Sequence, residues 1–226
     1  MRIRRATLET CQTATGTVVA IDVIRAFTTA AFAFAAGARD IALVGEVEEA
    51  LALRERFPDA LLMGEVKGVQ PESFDLGNSP SALIGLDLAG RRIIQRTSAG
   101  TQGVVRSTQA KALLTSSFVC AGATARYLIK QNPASVTFVI TGAGLGTDGD
   151  EDAACADYVQ ALLRGETPGA APFLQRVRNS TDGRFFAQMP PRFPMSDLDC
   201  CLSVDHFDFA MVVERQDKLL LMRAIH

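Results

Sequence analysis

The chain has 226 residues, of which 48% are hydrophobic and 21% charged, and its formal net charge is −2 at pH 7. This composition is typical of a globular protein that buries a substantial core, and the absence of a basic stripe argues against a nucleic-acid partner. No apolar run reaches the roughly 20 residues that span a bilayer, and no apolar segment follows the arginines near the N-terminus, so we expect a cytoplasmic protein with no membrane partner.

Short apolar runs alternate with helical patterns along the chain. In chain order, they predict a strand over residues 17–23, a helix over 27–36, a strand over 41–44, a helix over 46–57, and strands over 60–63, 92–96 and 111–115. A helix over 121–131, a strand over 135–141, a helix over 150–164 and strands over 209–213 and 218–222 complete the pattern. The first strand is continuously apolar, which is typical of a strand covered on both faces.

This alternation predicts an α/β protein with three layers, α/β/α, built on a mostly parallel sheet. The last two strands flank polar residues 214–217 and predict an antiparallel hairpin, which makes the sheet mixed. We predict a single unit over residues 1–226 that can divide into two α/β lobes, 1–110 and 111–226. The proline-rich residues 190–194 predict a loop.

In such sheets, ligands bind beyond the carboxyl ends of the strands, and a polar segment follows the first predicted strand. Asp22 could hold a metal ion and Arg25 could grip a phosphate, while Thr28 and Thr29 could donate to an anion near a helix N-terminus. An N-capping aspartate beside a surface arginine explains the segment equally well. A phosphatase of the haloacid dehalogenase type is excluded, because Ile24 stands where its second aspartate is required.

A second polar segment follows the predicted strand over 60–63. Glu65 and Asp75 are hard oxygen ligands of the kind that Mg²⁺ prefers, and Asn78 and Ser79 are neutral hydrogen-bonding groups. The alternative is a turn that caps a helix beginning at Pro80. The density of such groups favours a functional segment.

A third polar segment begins at the end of the predicted strand over 92–96. Arg96, Thr97, Ser98, Gly100 and Thr101 combine a cation, hydroxyls, a glycine and a predicted helix start. Such a segment can bind an oxyanion, and an ordinary Ser/Thr helix cap explains it equally well. We treat it as a candidate substrate-binding loop.

A glycine-rich loop over 142–149 leads into the acidic residues 150–152. It does not fit the dinucleotide-binding pattern, because Thr147 replaces the last glycine and no strand bearing an acid follows at the required distance. We interpret it as a loop before an acidic helix start, with Glu151 or Asp152 near the site. Compensation of the helix dipole explains one acid more easily than the whole cluster.

Cys120 and Arg126 offer a rival chemistry. They have the C-x₅-R spacing with which cysteine phosphatases combine a thiolate and a phosphate-binding arginine. The usual glycine three residues after the cysteine is absent, and Tyr127 replaces the hydroxyl residue that normally assists. The five irregularly spaced cysteines and two histidines also predict neither a disulfide framework nor a zinc site.

Together these segments resemble the 2-phosphosulfolactate phosphatase family. The matching motifs lie at residues 21–29, 64–65, 74–80, 97–101 and 151–156, and their order and spacing hold from residue 17 to residue 165. The most specific of them is the string Asp-Leu-Gly-Asn-Ser-Pro that begins at Asp75. The chain departs from the family pattern at Ser73, Ser98, Ala99, Cys120 and Asp157.

The resemblance implies a three-layer α/β fold, a requirement for Mg²⁺, and hydrolysis of 2-phospho-3-sulfolactate to 3-sulfolactate and phosphate. In this family the reaction is a step toward coenzyme M in methanogens and toward sulfolactate in some bacteria. The resemblance also implies that the binding partner is a small phosphorylated substrate that carries a sulfonate or carboxylate group. We expect a homodimer, the commonest assembly of soluble enzymes.

We hypothesise that the catalytic residues are Asp22, Arg25, Glu65 and Asp75, and that Mg²⁺ binds to Glu65, Asp75 and Asp152, with Asp22 as the alternative to Asp152. The predicted substrate-binding residues are Thr28, Thr29, Asn78, Ser79, Arg96, Thr97, Ser98, Gly100 and Thr101. Two alternatives stay open. One is a cysteine phosphatase that uses Cys120 and Arg126, and the other is a non-catalytic anion-binding domain, favoured by the substituted residues 98–99.

Overall fold

The computed structural model describes residues 1–144, 146–188 and 193–226. The strands are β1 (Arg2–Thr7), β2 (Gly16–Ile21), β3 (Asp40–Leu43), β4 (Leu61–Gly64), β5 (Arg92–Arg96), β6 (Ala110–Ser116), β7 (Ser135–Ile140), β8 (Ala210–Gln216) and β9 (Leu219–Ile225). The α-helices are α1 (Ala26–Ala35), α2 (Val47–Arg56), α3 (Gly100–Arg106), α4 (Ala121–Gln131), α5 (Asp150–Leu163), α6 (Ala171–Asn179), α7 (Thr181–Gln188) and α8 (Met195–Cys201). Residues 190–192 of the predicted proline-rich loop, and Leu145 of the glycine-rich loop, lie outside the described residues. None of the described helices is long and apolar enough to cross a membrane.

The predicted α/β class and the mixed, mostly parallel sheet are confirmed. In the described part of the chain, nine strands form one sheet in the order β1-β7-β2-β6-β8-β9-β3-β5-β4. Two parallel groups, β1-β7-β2-β6 and β3-β5-β4, are joined by the antiparallel hairpin of β8 and β9. The division into lobes 1–110 and 111–226 stays a prediction.

Strand β2 shows how the three layers form. Its side chains alternate between the two faces of the sheet, so Val18 and Ala20 pack in the cluster that contains α1, whereas Val19 and Ile21 pack in the cluster that contains α4 and α5. All four side chains are fully buried. The continuous apolar run of the sequence is therefore a strand with a helical layer on each side.

The start of α1 reaches strand β5, which is not a neighbour of β2. Strands β2 and β5 are five steps apart in the sheet order, which would separate them by about 24 Å in a flat sheet. Gln95 of β5 nevertheless donates from Nε2 to the carbonyl oxygen of Ala26, at the start of α1, over 3.0 Å. The segments that follow β2 and β5 therefore meet, as the close approach of Gly100 to Ala26 and Asp22 also shows.

Candidate active site

A cleft of about 700 Å³ lies beyond the ends of β2, β4, β5 and β7. Half of the predicted site residues line it, namely Asp22, Arg25, Glu65, Asn78, Arg96, Ser98 and Asp152. The cleft is also lined by residues that the sequence analysis did not single out, namely Glu46, Lys67, Gln102, Arg106, Asp182, Phe185, Phe186 and Phe193. The carboxyl ends of the strands are thus the location of the candidate site, as expected for this class of sheet.

Carboxylates crowd one side of the cleft. Asp22 directly follows β2, and its Oδ1 accepts from the backbone N–H of Ala26 at 2.8 Å, at the start of α1. Asp152, in the first turn of α5, accepts from the backbone N–H groups of Val23 at 2.8 Å and Gly142 at 2.9 Å. The hydroxyl of Thr141 lies 3.3 Å from both Asp22 Oδ2 and Asp152 Oδ2. Backbone groups from distant parts of the chain therefore hold these two carboxylates close together.

Burial and mutual repulsion make the anionic forms of these carboxylates unfavourable. Burial raises the pKa of Asp22, and the charges of Glu65 and Asp182 add to the effect, giving a pKa of about 7. The pKa of Glu151 is also about 7, raised by burial and by Asp182. Burial, followed by the charges of Glu151 and Asp22, raises the pKa of Asp152 well above its usual range. A bound cation would relieve this repulsion.

The carboxylate oxygens of this acidic side are the kind of ligand that Mg²⁺ prefers. Glu151 Oε2 is buried and accepts no hydrogen bond from the described residues. A Cβ on Gly142 would lie 2.8 Å from Glu151 Oε1 and 3.4 Å from Asp152 Oδ2, so the glycine keeps space open beside both carboxylates. Within residues 1–144, 146–188 and 193–226, no three side chains are already arranged as metal ligands. Asp22, Glu151 and Asp152 bring three carboxylates to the same side of the cleft, and their side chains would have to reorient to share one cation.

Glu65 fixes the two loops that bring Lys67 and Arg96 to the cleft. The Glu65 carboxylate accepts from Ser98 N at 2.5 Å, Ser98 Oγ at 3.0 Å and Gly68 N at 2.6 Å. The guanidinium of Arg96 donates to the carbonyl oxygens of Glu65 at 2.9 Å and Gly45 at 3.1 Å. Ser98 Oγ also accepts from Lys67 N at 2.8 Å. Glu65 thus joins the loop after β4 to the loop after β5.

Asn78 and Ser79, neighbours in the most specific string, have different surroundings. Asn78 is buried at the cleft wall, and its Oδ1 accepts no hydrogen bond from the residues that the structure describes. Ser79 instead donates from Oγ to Asp197 Oδ1 at 2.7 Å, away from the cleft lining. Of these two predicted substrate-binding residues, only Asn78 is placed to contact a ligand directly.

Asp75, predicted as a catalytic residue and a metal ligand, does not line the cleft. Its carboxylate pairs with Arg54 of α2 at 3.0 Å and accepts from the backbone N–H of Leu62 in β4 at 2.8 Å. These bonds fasten the segment after β4 to the strand and to the helix. The structure therefore gives Asp75 a stabilising position outside the cleft.

The predicted threonines are also buried behind the cleft. Thr28 donates to the carbonyl oxygen of Val23 at 2.8 Å, and Thr29 Oγ1 is buried without a hydrogen-bond partner among the described residues. Thr97 and Thr101 cap the start of α3 by bonding each other's backbone N–H at 3.0 and 2.9 Å. They match the capping interpretation of the sequence more closely than the substrate-binding one.

Gly100 has a close neighbour in the acidic side of the cleft. An ideal Cβ at this position would lie 2.6 Å from the Cβ of Ala26 and 2.8 Å from Asp22 Oδ2. The first residue of α3 must therefore be glycine for α3 to pack this closely against the start of α1. Gly100 supports the position of Asp22 and offers no side chain to a substrate.

Cys120 and Arg126 do not form a phosphate-binding loop. Cys120 is fully buried, and burial raises the pKa of its thiol, which opposes the thiolate that such chemistry needs. Arg126 is exposed and pairs with Asp208. Neither residue lines the cleft, so the cysteine-phosphatase alternative has no geometric support.

Comparison with known proteins decides the family. The model of a family described as 2-phosphosulpholactate phosphatase matches residues 3–216. The chain belongs to the 2-phosphosulfolactate phosphatase family. The resemblance seen in the sequence is thereby confirmed, and the family is one of phosphoric monoester hydrolases.

Relatives named probable 2-phosphosulfolactate phosphatase support this membership. One from Bacillus subtilis (strain 168) is 35% identical over 205 residues, covering 89% of this chain and 88% of that protein. One from Synechococcus sp. (strain RCC307) is 32% identical over 229 residues, covering 91% of each. One from Carboxydothermus hydrogenoformans is 41% identical over 149 residues, covering 65% of this chain and 60% of that protein.

The match to the 2-phosphosulfolactate phosphatase family extends beyond residue 165, into the helices that the sequence patterns did not predict. These helices bring Asp182 and Phe186 of α7 to the cleft and place Asp197 of α8 behind it. The dipeptide Thr181-Asp182 is a helix-start signal that could have revealed α7. No local pattern indicates that α7 and α8 pack against the loop after β2.

Proposed function

We propose that the protein hydrolyses 2-phospho-3-sulfolactate to 3-sulfolactate and phosphate, with Mg²⁺ bound at the acidic side of the cleft. The observation that carries the proposal is that one cleft brings together the carboxylates of Asp22, Glu151 and Asp152 and the cations of Arg25, Lys67, Arg96 and Arg106. Membership of a phosphatase family supports the reaction class. The full-length similarity to relatives of that name supports the substrate.

The cations of the cleft suit 2-phospho-3-sulfolactate, which carries a phosphate, a sulfonate and a carboxylate group. Arg25, Lys67, Arg96 and Arg106 all line the cleft, and arginine offers paired donors that match phosphate, sulfonate and carboxylate oxygens. Asn78 adds an amide at the wall. These groups would bind the substrate and orient it, which is most of what phosphoryl transfer requires of a protein.

The acidic side suits the metal. We assign Mg²⁺ to Asp22, Glu151 and Asp152, in place of the set with Glu65 and Asp75 expected from the sequence. The ion would neutralise part of the charge of the phosphate group and would lower the pKa of a bound water molecule. Asp182 is a cleft carboxyl outside this set, and it can hold or release a proton. Burial raises its pKa, and the charge of Asp148 raises it further.

The test is phosphate release from 2-phospho-3-sulfolactate with added Mg²⁺, with EDTA, and with Mg²⁺ restored after EDTA. Release that needs Mg²⁺ supports the proposal, whereas release that persists in EDTA contradicts the metal assignment. Binding of 3-sulfolactate or phosphate without turnover would instead favour the non-catalytic anion-binding domain. A Cys120→Ser variant serves as the matched control and should retain full activity.

The homodimer and the cytoplasmic location belong to the proposal as well. Sedimentation velocity tests the first, since a dimer has twice the mass of the 24.2 kDa chain. Cell fractionation tests the second. Neither outcome bears on the chemistry of the cleft.

A further inference from the structure

Arg25 forms a buried ion pair with Asp197, whose carboxylate does not line the cleft. Its Nη1 donates to Asp197 Oδ2 at 2.7 Å, and the two side chains are 7% and 0% exposed. Arg25 itself lines the cleft, whereas Asp197 belongs to α8, 172 residues further along the chain. Within the described residues, the guanidinium pairs with this acid through one nitrogen, so its other donors can point toward the cleft.

Asp197 is in turn fixed by donors on its other oxygen. Its Oδ1 accepts from Ser79 Oγ at 2.7 Å, Ser81 Oγ at 2.6 Å and Ser81 N at 3.1 Å. The residue therefore joins the loop after β4 to the arginine after β2. Ser79 of the Asp-Leu-Gly-Asn-Ser-Pro string thus contacts Asp197 and does not line the cleft.

Two aromatic rings contact the same guanidinium. The Cζ atom of Arg25 lies 4.9 Å from the ring centroid of Phe186 and 5.2 Å from that of Phe193. Both rings are buried. Cation–π contacts and low local polarity strengthen the interaction of a guanidinium with an anion and restrict its rotation.

We propose that Asp197 is a positioning residue that holds Arg25 in a single orientation for binding an anionic group of the substrate. This inference rests on the proposed function of the cleft. Asp197 does not touch the substrate and acts through Arg25 alone. A flexible arginine would have to be ordered at each binding event, whereas this one is ordered beforehand.

The test is a double-mutant cycle on kcat/KM with Asp197→Asn and Arg25→Ala. An amide can keep an oxygen toward the two serines but then turns an N–H group toward Arg25, so Asp197→Asn removes the arginine contact specifically. We expect kcat/KM to fall roughly 10- to 100-fold, the weight of one charge-assisted hydrogen bond. In the Arg25→Ala background, Asp197→Asn should cause no further loss, because its only route to the substrate is already gone.

Asp40→Asn is the matched control. Asp40 is a buried aspartate that pairs with Arg92 at 2.6 Å and lies outside the cleft lining. The Asp40→Asn substitution should lower the melting temperature and leave kcat/KM unchanged, both in the wild type and in the Arg25→Ala variant. A loss on Asp197→Asn that is equally large with and without Arg25 would show a merely structural role and overturn the proposal, as would an unchanged kcat/KM.

A variant that fails to fold does not end the test. Ser79→Ala keeps the charge of Asp197 and removes one of its donors, so it should give a smaller loss of kcat/KM that also vanishes in the Arg25→Ala background. A wild type that releases no phosphate contradicts the proposed function, not the role of Asp197. The same cycle on the calorimetric affinity for inorganic phosphate then decides that role.

Discussion

Asp152 accepts a hydrogen bond from the backbone N–H of Val23 at 2.8 Å, across 129 positions of sequence. This bond joins the first turn of α5 to the residue after Asp22. It fixes one carboxylate of the proposed metal set relative to another before any cation is present. Two of the three proposed ligands are thus held near each other, which limits the adjustment that binding a metal ion requires.

Asp152→Asn should therefore abolish Mg²⁺-dependent turnover. The amide cannot accept at both of its terminal atoms, so either Val23 N or Gly142 N loses its acceptor, and we expect a loss of about 1–3 kcal/mol in stability as well. Calorimetric titration with Mg²⁺ should show an affinity at least roughly tenfold weaker. Wild-type affinity in this variant would remove Asp152 from the metal set.

The acidic side predicts an unusual dependence of stability on pH. Asp22 and Glu151 have pKa values of about 7 in the folded protein, against 3.8 and 4.5 as ordinary values. Between about pH 4 and pH 7 the folded state therefore binds more protons than the unfolded state, and the free energy of unfolding contributed by these groups falls as the pH rises. Asp22→Asn should flatten this part of the profile.

Thermal melts of the wild type and Asp22→Asn across this pH range measure the difference. The same melts with Mg²⁺ provide the second arm, because a bound cation stabilises the ionised carboxylates and should reduce the decline toward pH 7. Parallel profiles for the two proteins would contradict the raised pKa of Asp22. A decline that Mg²⁺ leaves unchanged would contradict the metal assignment.

Asp75 provides the sharpest contrast with Asp152. Asp75→Ala removes a partly exposed ion pair with Arg54 and an acceptor for Leu62 N, so we expect a loss of about 1 kcal/mol in stability. Mg²⁺ affinity and kcat should remain at wild-type values. Loss of Mg²⁺ binding in this variant, with its folding intact, would restore the assignment made from the sequence.

The sequence predicted the buried strands and the polar segments after them because both have local signals. A continuous apolar run such as that of β2 needs no knowledge of its neighbours, and Asp22, Glu65 and Asp152 each follow a strand or open a helix. Strand β1 was missed because its three arginines interrupt the apolar pattern at the edge of the sheet. For α3 the sequence predicted a helix start and no bounds, because its seven residues include two glycines.

The part of the site that the sequence could not predict depends on tertiary contacts. Asp75 and Asp152 look alike as hard oxygen ligands, but β7, which precedes α5, pairs with β2, whereas β4 lies at the far edge of the sheet. The order of the strands therefore decides that Asp152, and not Asp75, faces Asp22. Likewise, Ser79 has the chemistry of a substrate donor, but its distance to Asp197 gives it another role. Residue type predicted the chemistry of the cleft, and long-range packing selected the residues that carry it.

Gly100→Ala tests the link between helix packing and the acidic side. The added methyl group would approach Ala26 Cβ and Asp22 Oδ2 to less than 3 Å, and overpacking of this kind costs about 1–3 kcal/mol. Because Asp22 has to move, Mg²⁺-dependent turnover should fall more than stability alone explains at a temperature where the variant is folded. Gly169→Ala is the matched control, since nothing lies within 4 Å of its Cβ, and it should change neither quantity. Full turnover in a folded Gly100→Ala variant would show that Asp22 does not need its present position, and so would remove it from the proposed metal set.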